Sequence, residues 1–129
     1  MTSIQALMND QPVSLDPEAR IEDAWRLMRD NRIRHVPIVK NDNLVGLVTQ
    51  KDLLVNAQNA SLLTLPVAEV MVFNVKSITE DTDVLSATRM MLEERISCLP
   101  VVEDKKLKGI ITESDLLSLL ASKLQEEHA

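Results

Sequence analysis

Two glycines are all that this chain contains, and they stand 63 residues apart at the head of the same phrase: Gly46-Leu47-Val48-Thr49-Gln50-Lys51-Asp52-Leu53-Leu54 and Gly109-Ile110-Ile111-Thr112-Glu113-Ser114-Asp115-Leu116-Leu117. A fixed offset over a long stretch is the mark of internal duplication. Aligning residues 4–54 with 67–117 gives 15 identities in 51 positions without a gap, among them Met8/Met71, Arg26/Arg89, Met28/Met91, Arg32/Arg95, Pro37/Pro100, Thr49/Thr112 and Asp52/Asp115. The chain therefore reads as two copies of one unit, repeat one over 4–66 with its connector and repeat two over 67–129 with a charged tail.

A unit of about 60 residues buries too little surface to be robust alone, so the copies are expected to pack together as one module. One Trp, one Phe and no Tyr leave the core to Val, Ile, Leu and Met. The apolar runs are short and interrupted, which excludes a bilayer-spanning segment, and residues 1–8 lack the basic start and long apolar run of a secretory signal. We expect a cytoplasmic protein. A lone cysteine, Cys98, forms no internal disulfide and reads as a small buried residue. The net charge of −6 argues against general nucleic-acid affinity, which relies on cations neutralising phosphates.

Each repeat reads as strand, helix, strand, strand, helix. In repeat one, Asp16-Pro17-Glu18 has the residue types of a helix start, and Ile21, Ala24, Trp25 and Met28 follow on one helical face. In repeat two the helix is expected from Thr79, with Val84, Ala87 and Met91 repeating the stripe. Apolar runs at 36–39 and 44–48, and at 99–102 and 107–111, then form hairpins around polar turns, with both sheet faces covered. Closing helices are expected from Leu53 and Leu116, and residues 55–66 finish the first and connect the copies.

The duplicated phrase has two readings. Glycine within a strand usually marks a bulge or a close approach, here by a ligand or by the partner repeat. Thr49 and Thr112 sit where strands become helices and would N-cap them, with Asp52 and Asp115 completing a variant of the capping box. A ligand would use the same geometry, because a helix start offers free N–H groups and a fixed carboxylate accepts hydrogen bonds from two neighbouring hydroxyls, as in a ribose diol. Bonds of that kind contribute roughly 1.5–3 kcal/mol each.

The chain resembles a tandem pair of CBS domains, the regulatory module named after cystathionine β-synthase. The resemblance rests on the runs Ile33–Val39 and Ile96–Val102 around their prolines, on Gly-h-h-Thr-x-x-Asp twice (h, hydrophobic), and on openings ending in Met8 and Met71. It implies an α+β fold of two β-α-β-β-α repeats packed through their sheets with pseudo-twofold symmetry. It also implies clefts between the copies that bind an adenosyl ligand: AMP, ADP, ATP, S-adenosylmethionine or NAD(H).

By the same resemblance Asp52 and Asp115 hold the ribose with Thr49 and Thr112, while adenine meets Arg34-His35-Val36, Ser97-Cys98-Leu99 and the first strands near Val13 and Lys76. Crosswise pairing would set Asp115 opposite Arg34 and His35, and Asp52 opposite Ser97 and Cys98. Phosphorylated ligands are then expected in the Asp115 cleft, where Arg34 grips a phosphate, although Glu113 opposes this.

His35 and His128 lack a second ligand at metal spacing, and no catalytic triad or P-loop is present. The acids Glu80, Asp81 and Asp83 read as a helix start, with a divalent-cation sensor as the minor alternative. The leading expectation is a stand-alone, non-enzymatic nucleotide-sensing module, homodimeric through its helical faces and acting on an unknown regulated protein. A purely structural dimerisation module is the competing class.

Overall fold

In the computed structural model, described over residues 2–56 and 59–128, the elements run α1 (Ile4–Leu7), α2 (Ile21–Asn31), β1 (His35–Lys40), β2 (Asn43–Thr49), α3 (Gln50–Asn56), 3-10 turns at Ala60–Thr64 and Val67–Glu69, α4 (Val84–Glu94), β3 (Cys98–Glu103), β4 (Lys106–Thr112) and α5 (Glu113–Glu127). The chain resolves into two compact units, and these do not coincide with the sequence repeats. Unit A holds residues 12–75 and 105–107; unit B holds 1–11, 76–104 and 108–129. Each repeat's leading segment has joined the body of the other.

Unit A is built around the hairpin β1–β2. Asn41 and Asp42 both adopt left-handed backbone, with φ of 52° and 67°. A two-residue loop of this kind is the type I′ turn whose twist matches the flanking strands, and it requires residues that tolerate positive φ. Register follows from it: Lys40 faces Asn43, Val36 faces Val48 and His35 faces Thr49. Asn43 also pairs antiparallel with Lys106, which keeps residues 105–107 in this unit. Val36, Pro37 and Ile38 are buried in succession, as expected of a strand covered on both faces.

Across the strands lies α2, whose Ile21, Ala24 and Met28 join Val36, Ile38, Val48, Leu53, Val67 and Met71 in one aliphatic core. The helix ends where Arg32 turns left-handed at φ 54°, and Ile33 N–H closes the turn on the Met28 carbonyl at 3.0 Å. Unit B repeats the plan. Arg95 ends α4 in the same way at φ 56°, and Ala87, Met91, Leu99, Val101 and Ile111 take the core positions of their counterparts in repeat one. Ile4, the counterpart of Val67, is fully buried there.

Four local expectations are corrected. Asp16 does not cap α2: its carboxylate and carbonyl accept from Glu18 and Ala19 N–H in a separate turn, and the helix starts at Ile21 behind Arg20 and Asp23. Thr79 likewise sits in a turn, and α4 starts at Val84 capped by Asp83, whose carboxylate accepts from Ser86 N–H at 2.7 Å. The leading strand of each repeat shrinks to a single parallel bridge, Leu15 with Ile38 and Ile78 with Val101. At both helix starts the polar side chains satisfy nearby backbone groups before regular structure begins. Helices also start earlier than Leu53 and Leu116, directly after each Thr, and the connector expected over 55–66 includes residues 57 and 58, which lie outside the described residues.

The glycines mark a close approach, and the approaching group is the other repeat's leading segment. A Cβ on Gly46 would lie 2.5 Å from Met71 Sδ and 3.1 Å from the Val72 carbonyl oxygen; one on Gly109 would lie 2.6 Å from Met8 Sδ and 2.8 Å from the Asn9 carbonyl oxygen. Reciprocal backbone bonds fix each segment, Leu47 with Val72 at 3.0 and 2.9 Å and Asn9 with Ile110 at 2.9 and 3.0 Å. Overpacking of this kind costs about 1–3 kcal/mol. We expect Gly46→Ala and Gly109→Ala each to destabilise by that amount in denaturant titration. In a Met71→Ala background the Gly46→Ala cost should largely vanish, since the worst contact there is side chain. The Gly109→Ala cost should persist in Met8→Ala, because backbone oxygen blocks the site.

Candidate functional site

In both units the strand-to-helix junction presents the same carboxylate. Asp52 Oδ2 accepts from Thr49 N–H at 2.9 Å and from the Thr49 hydroxyl at 2.9 Å, while Asp52 N–H donates to Thr49 Oγ1 at 3.3 Å. In unit B, Asp115 Oδ2 accepts from Thr112 N–H at 2.8 Å and from its hydroxyl at 3.2 Å, and the pair forms the capping box of α5. The helix-capping role of the phrase is therefore real in both copies. All four residues are half-buried. Capping engages one carboxylate oxygen, and Asp115 Oδ1 takes no hydrogen bond among the described residues. An ionised carboxylate has about four acceptor positions, so the cap leaves room for a further donor.

The segments before β1 and β3 are held against these junctions within their own units. Gln50 N–H donates to the Arg34 carbonyl at 2.9 Å, and Glu113 N–H donates to the Ser97 carbonyl at 3.0 Å. His35 faces Thr49 across the hairpin. Unit A thus brings Arg34, His35 and Val36 to Thr49 and Asp52, and unit B brings Ser97, Cys98 and Leu99 to Thr112 and Asp115. The roles of Gln50 and Glu113 went unseen in the sequence, because a backbone donor carries no residue signature.

The remaining positions divide by exposure. Arg34 and Lys76 are exposed, and neither side chain makes an ion pair or hydrogen bond among the described residues; Val13 and His35 are half-buried, Val36 and Leu99 buried. Cys98 is buried, which pushes its thiol up to about 12. The acids before α4 are spent locally: Asp83 caps the helix and that bond holds its carboxyl below the usual range, Asp81 takes the Thr79 hydroxyl, and Glu80 accepts from Gln5 at 2.6 Å. Among the described residues no three His, Cys, Asp or Glu side chains come together as a metal cluster, and no helix is long and apolar enough to cross a membrane.

Comparison with known proteins decides the family. A model of the CBS domain matches residues 4–58 and again 67–122. The chain belongs to the CBS domain family. Its structure is similar to AcuB of Vibrio cholerae over 100% of this chain and 98% of that one, at TM-score 0.89 and 34% identity. It is similar also to the CBS domain pair of protein MJ0100, solved in complex with 5′-methylthioadenosine and S-adenosyl-L-methionine, over 95% and 98% of the two chains at TM-score 0.87 and 27% identity.

Among curated relatives, homoserine O-acetyltransferase of Methanobrevibacter ruminantium is 35% identical over 122 residues, 92% of this chain but 24% of that protein. The chain thus spans about a quarter of that enzyme's length. The CBS pair is an α+β module of tandem repeats, and enzymes that share it match through this part of their length alone.

Cys98 provides a direct check on the burial of this CBS pair. With the folded thiol raised from 9.0 to about 12, its contribution to stability is intact below about pH 9 and is lost as the pH rises through that interval. At pH 8 a disulfide reagent such as Ellman's should label the native protein only at the rate of opening, and promptly in denaturant.

Proposed function

We propose that this CBS pair is a regulatory module that binds adenosine-containing ligands, the ribose diol held by the carboxylates of Asp52 and Asp115. What carries the reading is the half-buried carboxylate that recurs at both junctions, fixed through one oxygen by the Thr beside it. The complex of the MJ0100 pair with two adenosine derivatives supports the ligand class. On this reading Thr49 and Thr112 orient the carboxylates, the segments Arg34–Val36 and Ser97–Leu99 with Val13 and Lys76 contact adenine, and Arg34, whose side chain has no described partner, takes a phosphate. The ligand is AMP, ADP, ATP, S-adenosylmethionine or NAD(H), and the module acts in the cytoplasm on a regulated protein rather than catalysing a reaction. Regulation follows to the extent that ligand favours one conformation or assembly over another.

A homodimer is part of the proposal. On α5, Leu117, Leu120 and Leu124 are 63%, 52% and 46% exposed at helical spacing, and Leu85 and Leu92 of α4 are 59% and 73% exposed. Apolar stripes of this kind suit a second copy. Leu117→Glu with Leu120→Glu should convert a dimer to a monomer in sedimentation analysis; a wild type already monomeric at the highest soluble concentration would reject it.

Ligand binding is testable by thermal unfolding against AMP, ADP, ATP, NADH, S-adenosylmethionine and Mg²⁺. A ligand at 100 times its Kd adds about 2.7 kcal/mol, a shift of about 10 °C in a domain of this size. Since each Asp also caps a helix, Asp52→Ala and Asp115→Ala should each cost about 1 kcal/mol whether or not ligand binds. Stoichiometry is therefore the deciding readout: each variant should lose one binding equivalent in calorimetry, and Arg34→Ala should weaken ATP more than S-adenosylmethionine. Full stoichiometry in both Asp variants would remove the ribose assignment.

A further inference from the structure

Unit A carries a cavity of about 440 Å³ lined by Trp25, Arg26, Met28 and Arg29 of α2 and by Gln50 at the start of α3. That volume lies within the roughly 300–1,000 Å³ of small-molecule sites. Met28 anchors it in the aliphatic core, and Trp25 packs partly against the same core. The rest of the lining residues carry N–H donors at the edge of a mostly apolar surface. Neither the Trp25 indole N–H nor the Gln50 amide makes a side-chain hydrogen bond among the described residues. No carboxylate is among the described residues that line the space. Arg26 reaches Glu22 at 3.6 Å and Asp23 at 3.5 Å, and Arg29 reaches Asp30 at 3.1 Å, but these arginines are 59% and 72% exposed. Exposed pairs of this kind hold their partners weakly and yield to a better acceptor.

The duplication supplies an internal control. At the same positions repeat two has Thr88, Arg89, Met91, Leu92 and Glu113. The frame is kept, Arg26/Arg89 and Met28/Met91, while the three changes each add binding chemistry to repeat one: an aromatic face for Thr, a second guanidinium for Leu, and a neutral amide for an acid. Core packing does not require these, because the equivalent core of unit B forms without them. The sequence pointed to Trp25 only as part of an apolar stripe; the difference between repeats was the signal available.

We propose that this cavity binds a planar aromatic carboxylate, its ring on the Trp25 face and its carboxylate held by Arg26 and Arg29 with the Trp25 and Gln50 N–H groups in reach. The site adjoins the Thr49–Asp52 junction at Gln50 but uses neither ribose carboxylate, and it stands whether or not nucleotides bind there.

Trp25 is the chain's one tryptophan, so its indole N–H gives a single cross-peak in a ¹⁵N spectrum. Titrating the full chain with 2-naphthoate should move that peak saturably with a Kd below about 1 mM, and the uncharged 2-naphthamide should bind at least tenfold more weakly. The repeat-two residues Arg29→Leu and Gln50→Glu should each weaken 2-naphthoate about tenfold or more. Arg29 is exposed, so its variant keeps the fold and the thermal midpoint will verify that. A peak that does not saturate, equal binding of the amide, an Arg29→Leu variant with wild-type affinity, or an indole peak that moves with protein concentration alone, which would mark a second copy on this face, would each overturn the proposal.

Discussion

The contact on which the rest depends is a methionine laid across a glycine, made twice. Met71 over Gly46 and Met8 over Gly109 bring each repeat's leading segment onto the second hairpin strand of the other repeat, with sulfur 2.5 and 2.6 Å from where a Cβ would stand. Reciprocal backbone bonds at Leu47–Val72 and Asn9–Ile110 lock the arrangement. Val67 and Ile4 travel with these segments into the two aliphatic cores. Neither repeat is complete within its own sequence limits, since each core borrows a wall from the other. This gives the physical reason why a 60-residue repeat of this kind occurs in pairs.

With the second strand held from behind, its far end is free to present the junction. The strand delivers Thr49 and Thr112 to helix starts, and the first turn carries the Asp back onto the Thr. One residue pair therefore ends a strand, caps a helix and fixes a half-buried carboxylate in a single orientation. Capping and the proposed ligand binding are not competing accounts of the phrase, because the cap works through one carboxylate oxygen and holds the group in a fixed orientation. The same economy explains why the residues between the invariant positions are free to differ. Arg34-His35 against Ser97-Cys98, and Trp25, Arg29 and Gln50 against Thr88, Leu92 and Glu113, place unlike chemistry on like backbones.

Much of the fold was legible because it is written in local chemistry. The hairpins show in β-branched runs around Asn41-Asp42 and Asp104-Lys105, and α2 and α4 show in the spacing of Ala24/Met28 and Ala87/Met91. Boundaries were less legible where polar side chains compete for the backbone. Asp16 and Thr79 have the composition of helix caps and instead close turns, a choice made by where Arg20 and Asp83 already stand. The first strands read as strands but reduce to one bridge each, since only Leu15 and Ile78 find partners.

The sequence by itself determined the duplication, the alternation of strand and helix, the aliphatic core and the identity of the Thr-Asp pairs, because these follow from periodicity and residue type over short range. Tertiary structure alone decided what the glycines are for, which leading segment completes which core, and that Trp25 lines a cavity rather than only a core stripe. Those outcomes depend on close approaches between residues far apart in the chain, such as Met8 and Gly109. Contact at that separation is set by the packing of whole elements, and no local pattern encodes it.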